Sequence, residues 1–179
     1  MTEVKRLFDF PYYQLENYPQ EAALVSKENG TWVKTSTQQY IDQANAISRG
    51  LIKLGVKAND KVAIISMTNR TQWNICDIGI LQTGAQDVPI YPTISEQDYE
   101  YVLNHSESKY VFVSCKEVLD KINKIKANVP TLLGVYSFED IDGCDSWQEV
   151  ITLGNDNQDL QQEVQKRMDG VHEDDLATL

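Results

Sequence analysis

The chain has 179 residues, 41% of them hydrophobic and 24% charged, which is enough apolar material for one substantial core and argues against a disordered chain. Its formal net charge of -11 disfavours binding to nucleic acid or to anionic lipid through a basic face. The negative charge is concentrated, because residues 139–179 hold twelve of the 27 acidic side chains and only two of the 16 basic ones. We interpret this acidic tail as a solvated surface.

The cysteines and the apolar runs exclude several other classes of protein. Cys76, Cys115 and Cys144 are odd in number, far apart and without C-x-x-C spacing, so the sequence predicts neither a disulfide framework nor a zinc site. The first residues lack the apolar segment of a secretory signal, and no stretch approaches transmembrane length. We therefore expect a soluble, cytoplasmic protein.

The first predicted elements are a β-hairpin and a helix. Asn29-Gly30, between two β-prone runs, is a strong hairpin signal. Ser36 and Gln39 have the spacing of a helix capping box, and Gly55 marks the end of the helix. Apolar side chains at three- and four-residue spacing give this helix one buried face: Tyr40, Ala44, Ile47, Leu51 and Leu54.

Two strands joined by a helix come next. Lys61–Ser66 is a nearly continuous apolar run, as expected of a central parallel strand that is covered on both faces. A helix should follow from about residue 71 to residue 83 and end near Gly84. Asp87–Tyr91 is strand-like, but Pro89 has no N–H to donate to a ladder, so this strand should lie at an edge or a bend.

The second half of the chain repeats the alternation of helices and strands. Strands are predicted at 110–113 and 131–136, and a polar surface loop at 154–159. Strands that alternate with helices imply right-handed crossovers, so we predict an α/β fold with a mainly parallel sheet, crossover helices and the N-terminal hairpin. Three helices should begin at a serine that is followed by an acid three residues later: Ser95 with Asp98, Ser114 with Glu117, and Ser146 with Glu149.

The sequence carries no self-contained active-site motif. Neither G-x-G-x-x-G nor G-x-x-x-x-G-K-[ST] occurs, which disfavours a Rossmann dehydrogenase. His105 and His172 lack metal or triad spacing, and the stretch after Asn155 fails as a calcium loop because Leu160 stands where glycine is needed. We assign no catalytic residue and no metal-binding residue.

Several motifs nevertheless resemble the early part of long-chain fatty acyl-CoA synthetases, in the superfamily of adenylate-forming, AMP-binding enzymes. Asn69-Arg-Thr-Gln-Trp73 is similar to the N-R-x-E/Q-W helix start of that family, and Val88-Pro-Ile-Tyr91-Pro-Thr93 is similar to its V-P-x-Y-P-T segment. Lys109–Ser114 resembles the K-x-V/I-F-V strand of the family. The resemblance implies that residues 1–179 are the N-terminal part of the large domain of such an enzyme.

The last residues of the sequence extend the resemblance to fatty acyl-CoA synthetases. Asp174–Leu179 resembles a strand that in these enzymes leads into a Ser/Thr/Gly-rich phosphate loop ending in Pro-Lys-Gly, and that loop is absent from the sequence. We expect the natural protein to continue into it. The family implies that a fatty acid and ATP, with Mg²⁺, form an acyl-adenylate, which coenzyme A converts into the thioester. On this view ATP, coenzyme A and Mg²⁺ belong to the full-length enzyme, and the fragment itself should be inactive and bind none of them.

The resemblance also suggests where substrate contacts could lie. Trp73, Tyr91 and Thr93 are the candidates for lining the acyl or coenzyme A path, although Trp73 and Tyr91 most resemble packing residues. In related acetyl-type enzymes, the helix beginning near Ser95 approaches the coenzyme A nucleotide through arginines. Here Tyr99-Glu-Tyr-Val102 stands instead, which weakens any phosphate contact from this helix.

Other functions stay open at this point. The chain could belong to another adenylate-forming enzyme, such as a carboxylic acid reductase or a carrier-protein ligase, although the Pro-Ile-Tyr-Pro-Thr segment favours the long-chain branch. A non-catalytic interaction module that docks through the acidic tail is a third alternative. For the fragment we expect self-association through unpaired strand edges, and for the full-length enzyme peripheral contact with a membrane is left open.

Overall fold

The computed structural model describes residues 4–28 and 30–179. Over those residues the chain forms seven helices and seven strands, which alternate from α2 to β6, and two short 3-10 turns at 126–128 and 158–160. The elements are α1 (Asp9–Asn17), β1 (Leu24–Glu28), β2 (Thr31–Thr35), α2 (Thr37–Lys53), β3 (Lys61–Ile65), α3 (Thr71–Gln82), β4 (Gln86–Ile90), α4 (Glu96–Ser106), β5 (Tyr110–Val113), α5 (Lys116–Ile125), β6 (Gly134–Ser137), β7 (Asp145–Ser146), α6 (Trp147–Asp156) and α7 (Gln161–Asp169).

The N-terminal elements confirm the predicted hairpin and helix. β1 and β2 pair antiparallel; Asn29, which carried part of the hairpin signal, lies outside the described residues. Ser36 caps α2 through the full capping box with Gln39. Gly55 follows the helix with a φ of 91°, a conformation that costs a glycine little and other residues more.

A parallel five-stranded sheet forms the centre of the fold, in the order β4-β3-β5-β6-β7. One face packs against α2, α3 and α6, and the other against α4 and α5. Successive side chains of a strand point to opposite faces, so in β3 Val62 and Ile64 join the first layer whereas Ala63 and Ile65 join the second. The predicted α/β fold class is confirmed.

Pro89 lies in β4 at one edge of the sheet, as predicted. Neighbouring residues of a strand direct their backbone groups to opposite edges. The Asp87 N–H faces outward and donates to the Ala177 carbonyl oxygen at 3.0 Å, so Pro89, two residues further on, also faces outward. Its missing N–H therefore costs the β3–β4 ladder nothing.

The last residues lie against the outer edge of β4 and form one isolated bridge with it. Leu179 N–H donates to the Asp87 carbonyl oxygen at 3.1 Å, and Asp87 and Thr178 form a single parallel bridge. The apolar run predicted to start a strand at the end of the sequence thus reaches the sheet at one position.

Three local predictions were wrong in detail. α5 has Cys115 as its N-cap residue with no side-chain cap, because the Ser114 hydroxyl instead accepts a hydrogen bond from Met67 N–H at 3.0 Å. The strand expected at 131–136 occupies Gly134–Ser137. The loop expected at 154–159 begins late, because α6 continues to Asp156 and Gly154 is a buried helical residue.

The buried position of Gly154 results from the close contact between α6 and α2. A Cβ atom on Gly154 would lie 1.9 Å from the Ala46 carbonyl oxygen, and one on Gly50 would lie 2.2 Å from the Val150 carbonyl oxygen. Real side chains do not tolerate such distances, so glycine at both positions lets the two helix backbones touch. Arg49, itself buried, donates from Nε to the Gly154 carbonyl oxygen at 2.8 Å and fixes the contact.

We predict that Gly154→Ala lowers the free energy of unfolding by about 3 kcal/mol, because the added methyl group must push α6 away from α2. Urea denaturation followed by circular dichroism measures this change. Gly170→Ala is the matched control, since a Cβ atom there would lie 3.4 Å from its nearest neighbour, the Arg167 carbonyl oxygen. Equal losses in the two variants would contradict the packing argument.

Candidate functional site

The parallel strands β3 to β6 bring their carboxyl ends to one edge of the sheet, where open α/β sheets bind their ligands. From β3 the chain crosses to β4 on one side and then returns to β5 on the other, so the strand order reverses between β3 and β5. The crevice outside this reversal lies between the loop after β3 and the loop after β5.

Hydrogen bonds bridge this crevice. Arg70, in the loop after β3, donates from Nη1 to the Ser114 carbonyl oxygen at 2.6 Å. Its Nη2 forms an ion pair with Glu139, after β6, at 3.0 Å. Arg70 belongs to the Asn69–Trp73 motif, but the sequence analysis gave it no role. Its place in that motif, three residues before Trp73, could have marked it as a functional residue.

Trp73 lies in the first turn of α3, just beyond this bridge. It is partly buried and packs against the core layer formed with α2, α3 and α6. This position is consistent with the packing role that the sequence favoured for it. Trp73 therefore lies on the opposite face of the sheet from α4.

Tyr91 and Thr93 lie in the loop between β4 and α4, and both are exposed. Tyr91 is 79% exposed, so the packing role expected for it is not seen among the described residues. A hydrogen bond from α4 anchors this loop, because the Tyr99 hydroxyl donates to the Pro92 carbonyl oxygen at 2.8 Å. Burial raises the pKa of Tyr99 to about 12, so this hydroxyl keeps its proton at neutral pH.

An apolar groove of about 600 Å³ runs beneath Tyr91, along the outer edge of β4 and the flank of α4. Tyr101 lines it from α4, is 67% exposed and stacks on His105 with ring centroids 5.6 Å apart. Among the predicted candidates the structure brings Tyr91, but not Trp73 or Thr93, into this groove. The apolar lining consists of Val88, Pro89, Ile90, Tyr91, Ile94, Tyr101, Val102 and Leu179.

A second groove, of about 430 Å³, lies between the N-terminal segment and residues 167–177. Its floor includes Asn59, just before β3, and Ala85, just before β4, so it opens at the amino ends of the strands. That edge of a parallel sheet is not where such folds place their ligands. The groove along β4 extends from Lys61 and Glu107, at the amino ends of the strands, to Tyr91 and Ile94, in the loop at the carboxyl end of β4. Because it reaches the ligand-binding edge, it is the better candidate site.

The described residues contain no group of three or more His, Cys, Asp or Glu side chains that could hold a metal ion. None of the helices in 4–28 and 30–179 combines the length and the apolar character needed to cross a membrane.

Comparison with known proteins places this geometry in a family. The family model described as AMP-binding enzyme matches residues 12–179. The chain belongs to this family. The long-chain-fatty-acid–CoA ligase ACSBG2 of Xenopus laevis is 30% identical over 152 residues, covering 82% of this chain and 20% of that protein. The ligase FadD15 of Mycobacterium bovis is 36% identical over 104 residues, covering 58% and 17% respectively.

Solved structures agree on the fold. The anthranilate CoA ligase AuaEII, in complex with anthranoyl-AMP, superposes with a TM-score of 0.68 at 23% identity and covers 81% of this chain and 26% of its own. At that identity the likeness concerns the fold alone. The chain spans about a fifth of the length of the curated relatives that it matches.

Proposed function

We propose that residues 1–179 form the N-terminal part of the large domain of a long-chain fatty acid–CoA ligase. In the proposed reaction a fatty acid carboxylate attacks the α-phosphate of ATP and releases pyrophosphate. The thiol of coenzyme A then attacks the acyl-adenylate, and AMP leaves. The names of the two relatives support the ligase assignment.

The observation that carries the long-chain assignment is the apolar groove below Tyr91. An exposed aromatic ring beside Val88, Ile90 and Ile94 can cover an alkyl chain, although Lys61 and Glu107 also line the groove. Tyr101 closes the other side of the groove. We infer that the groove lines part of the acyl path and that Tyr91 contacts the chain. Trp73 then supports the loop after β3, and Thr93 shapes the turn into α4.

Binding of the nucleotide and its metal requires groups that the part of the chain described by the structure does not provide. Stabilising a leaving pyrophosphate requires backbone amides of a glycine-rich loop and a cation beside the phosphates. The sequence has no such loop, and the described residues include no cluster that could ligate Mg²⁺. ATP, Mg²⁺ and coenzyme A are accordingly assigned to the full-length enzyme, and no step of the chemistry is assigned to a side chain of this fragment.

We predict that Tyr91→Ser weakens binding of a C12 to C16 fatty acid roughly tenfold, because about 50 Å² of aromatic contact contributes on the order of 1.3 kcal/mol. Displacement of a fluorescent fatty acid analogue measures the affinity. Tyr18→Ser is the control, since Tyr18 is 64% exposed but lines neither groove. Equal effects of both substitutions, or no fatty acid binding at all, would refute a role of the groove in the acyl path.

We also predict that the 179-residue chain neither binds ATP measurably nor forms acyl-CoA. Isothermal titration calorimetry with Mg²⁺-ATP should give no heat of binding, and a coupled assay for AMP should give none above background. Micromolar ATP binding would contradict the assignment of the nucleotide site to other residues.

The self-association expected from the sequence would use the outer edge of β4. Beyond the bridge at Asp87, the Pro89 carbonyl and the Tyr91 backbone are the groups of this edge that a second chain would pair with. Light scattering over a wide concentration range should then show a mass above that of one chain at the highest concentrations. A constant monomer mass would contradict it. A cytoplasmic location, with peripheral membrane contact of the full-length enzyme, stays a prediction.

A further inference from the structure

One face of the β1–β2 hairpin is exposed to solvent. Val25 of β1 lies opposite Lys34 of β2, and in the same register Lys27 lies opposite Trp32. Directly paired residues share a face of a sheet, and so do alternate residues of one strand, so these four side chains lie on the same side. All four are exposed, Trp32 to 66% and Val25 to 48%. We call these four residues the outward face of the hairpin.

The other face of the hairpin is turned toward the protein. Leu24, Ser26 and Glu28 alternate with the outward residues of β1 and are half-buried. Gln72, in the first turn of α3, donates from Nε2 to Glu28 Oε1 at 3.1 Å. Glu28 is the only acidic residue in the sequence from 24 to 35, so the outward face carries two positive charges and no negative one.

The lysines of the outward face have an ordinary structural explanation, but the tryptophan does not. A two-stranded hairpin has two open edges, and exposed lysines keep other strands from pairing with them. An indole ring gains nothing from such a position, because its apolar surface is stabilised when it leaves water. Lys27 Nζ lies 6.0 Å from the centroid of the Trp32 ring, so the charge and the ring belong to one patch.

An aromatic ring between two lysines fits the surface of an anionic bilayer. Tryptophan is enriched at the interface between headgroups and acyl chains, where its ring leaves water and its N–H keeps a polar partner. Lysine side chains beside it reach the anionic groups of the lipids, and each contributes about fivefold to binding at such a surface. Both features of the outward face are thus used by one kind of partner.

We infer that the outward face of the hairpin docks the protein on an anionic lipid surface, with the Trp32 ring in the headgroup region and Lys27 and Lys34 against lipid anions. This inference goes beyond the proposed function and does not depend on it. The net charge of -11 disfavours such binding for the chain as a whole. At physiological salt, however, charges more than about 8 Å from the membrane are largely screened, so the local charge of the docking face decides.

Co-sedimentation of the 179-residue chain with lipid vesicles tests the inference. The wild type should bind vesicles of phosphatidylcholine with about one third phosphatidylserine, and bind pure phosphatidylcholine much more weakly. Added salt should weaken the binding, because it screens the lysines. Lys27→Gln/Lys34→Gln should lower the partition coefficient roughly 30-fold, since two contributions of about fivefold are lost.

Lys53→Gln/Lys57→Gln is the matched control. It also removes two exposed lysines, and it leaves the same net charge as the variant of the hairpin. The hairpin leads into the first turn of α2, whereas Lys53 is the last residue of this 17-residue helix, about 25 Å further along its axis. The control should therefore keep the wild-type affinity for anionic vesicles.

Tryptophan fluorescence gives a second readout, which a change in stability alone would not produce. Trp147 is buried and Trp73 is half-buried, so Trp32 is the exposed one of the three tryptophans. The emission of the wild type should shift to shorter wavelength on anionic vesicles as the Trp32 ring leaves water. Trp32→Phe keeps an apolar ring at this position, and the shift should be absent from it.

The wild type alone can overturn the inference, through equal binding to neutral and anionic vesicles or through binding that salt does not weaken. Equal losses in the two double variants would overturn it as well. A wild type that ignores both kinds of vesicle but is retained on immobilised polyglutamate would assign the face to an acidic protein. Self-association that Lys27→Gln/Lys34→Gln abolishes, again without vesicle binding, would assign it to a second copy of the chain, and either result would exclude docking on lipid.

Discussion

The contact of α2 with α3 and α6 is the constraint on which the rest of the structure depends. α2 lies on the first face of the sheet, and its neighbours approach it closely because three glycines, Gly50, Gly79 and Gly154, leave no Cβ at the crossings. The buried Ser48 hydroxyl lies 2.8 Å from the Gly79 carbonyl oxygen, so even polar groups at this contact have partners. With α3 fixed in this way, the loops at both of its ends, and with them the carboxyl ends of β3 and the start of β4, have defined positions.

Local signals predicted much of this fold, because they depend on residues close in sequence. The capping boxes at Ser36, Ser95 and Ser146 form as expected, since each joins two residues only three positions apart, and the side chain of each residue accepts from the backbone N–H of the other. Ser114 has the same spacing to an acid, yet its hydroxyl binds Met67 N–H from a neighbouring loop. The sequence analysis placed Gly154 in a loop for a similar reason. The helix α2, whose close approach leaves no room for a Cβ atom at this position, is distant in sequence.

The turn that carries Tyr91 was predictable from the sequence, but the lining of the groove was not. The motif around Tyr91 marked the turn after β4, and the turn is there. Whether the tyrosine faces the core or solvent depends on what α4 leaves uncovered, which no local pattern records. The burial of Asp87 was equally unpredictable from local sequence. In the sequence it is a polar residue at the start of a strand, and only packing against α3 makes it a buried acid beside Asp77.

Pro89 has a consequence for how the terminal segment finds its place. If residues 177–179 slipped by two positions toward the carboxyl end of β4, they would face Pro89, which has no N–H to offer their carbonyl oxygens. The slipped pairing would lose a hydrogen bond that the native one makes at Asp87. Pro89 thus disfavours alignment of the terminal segment two residues further along β4, and the bridge at Asp87 keeps its register on that side although it is only one residue long.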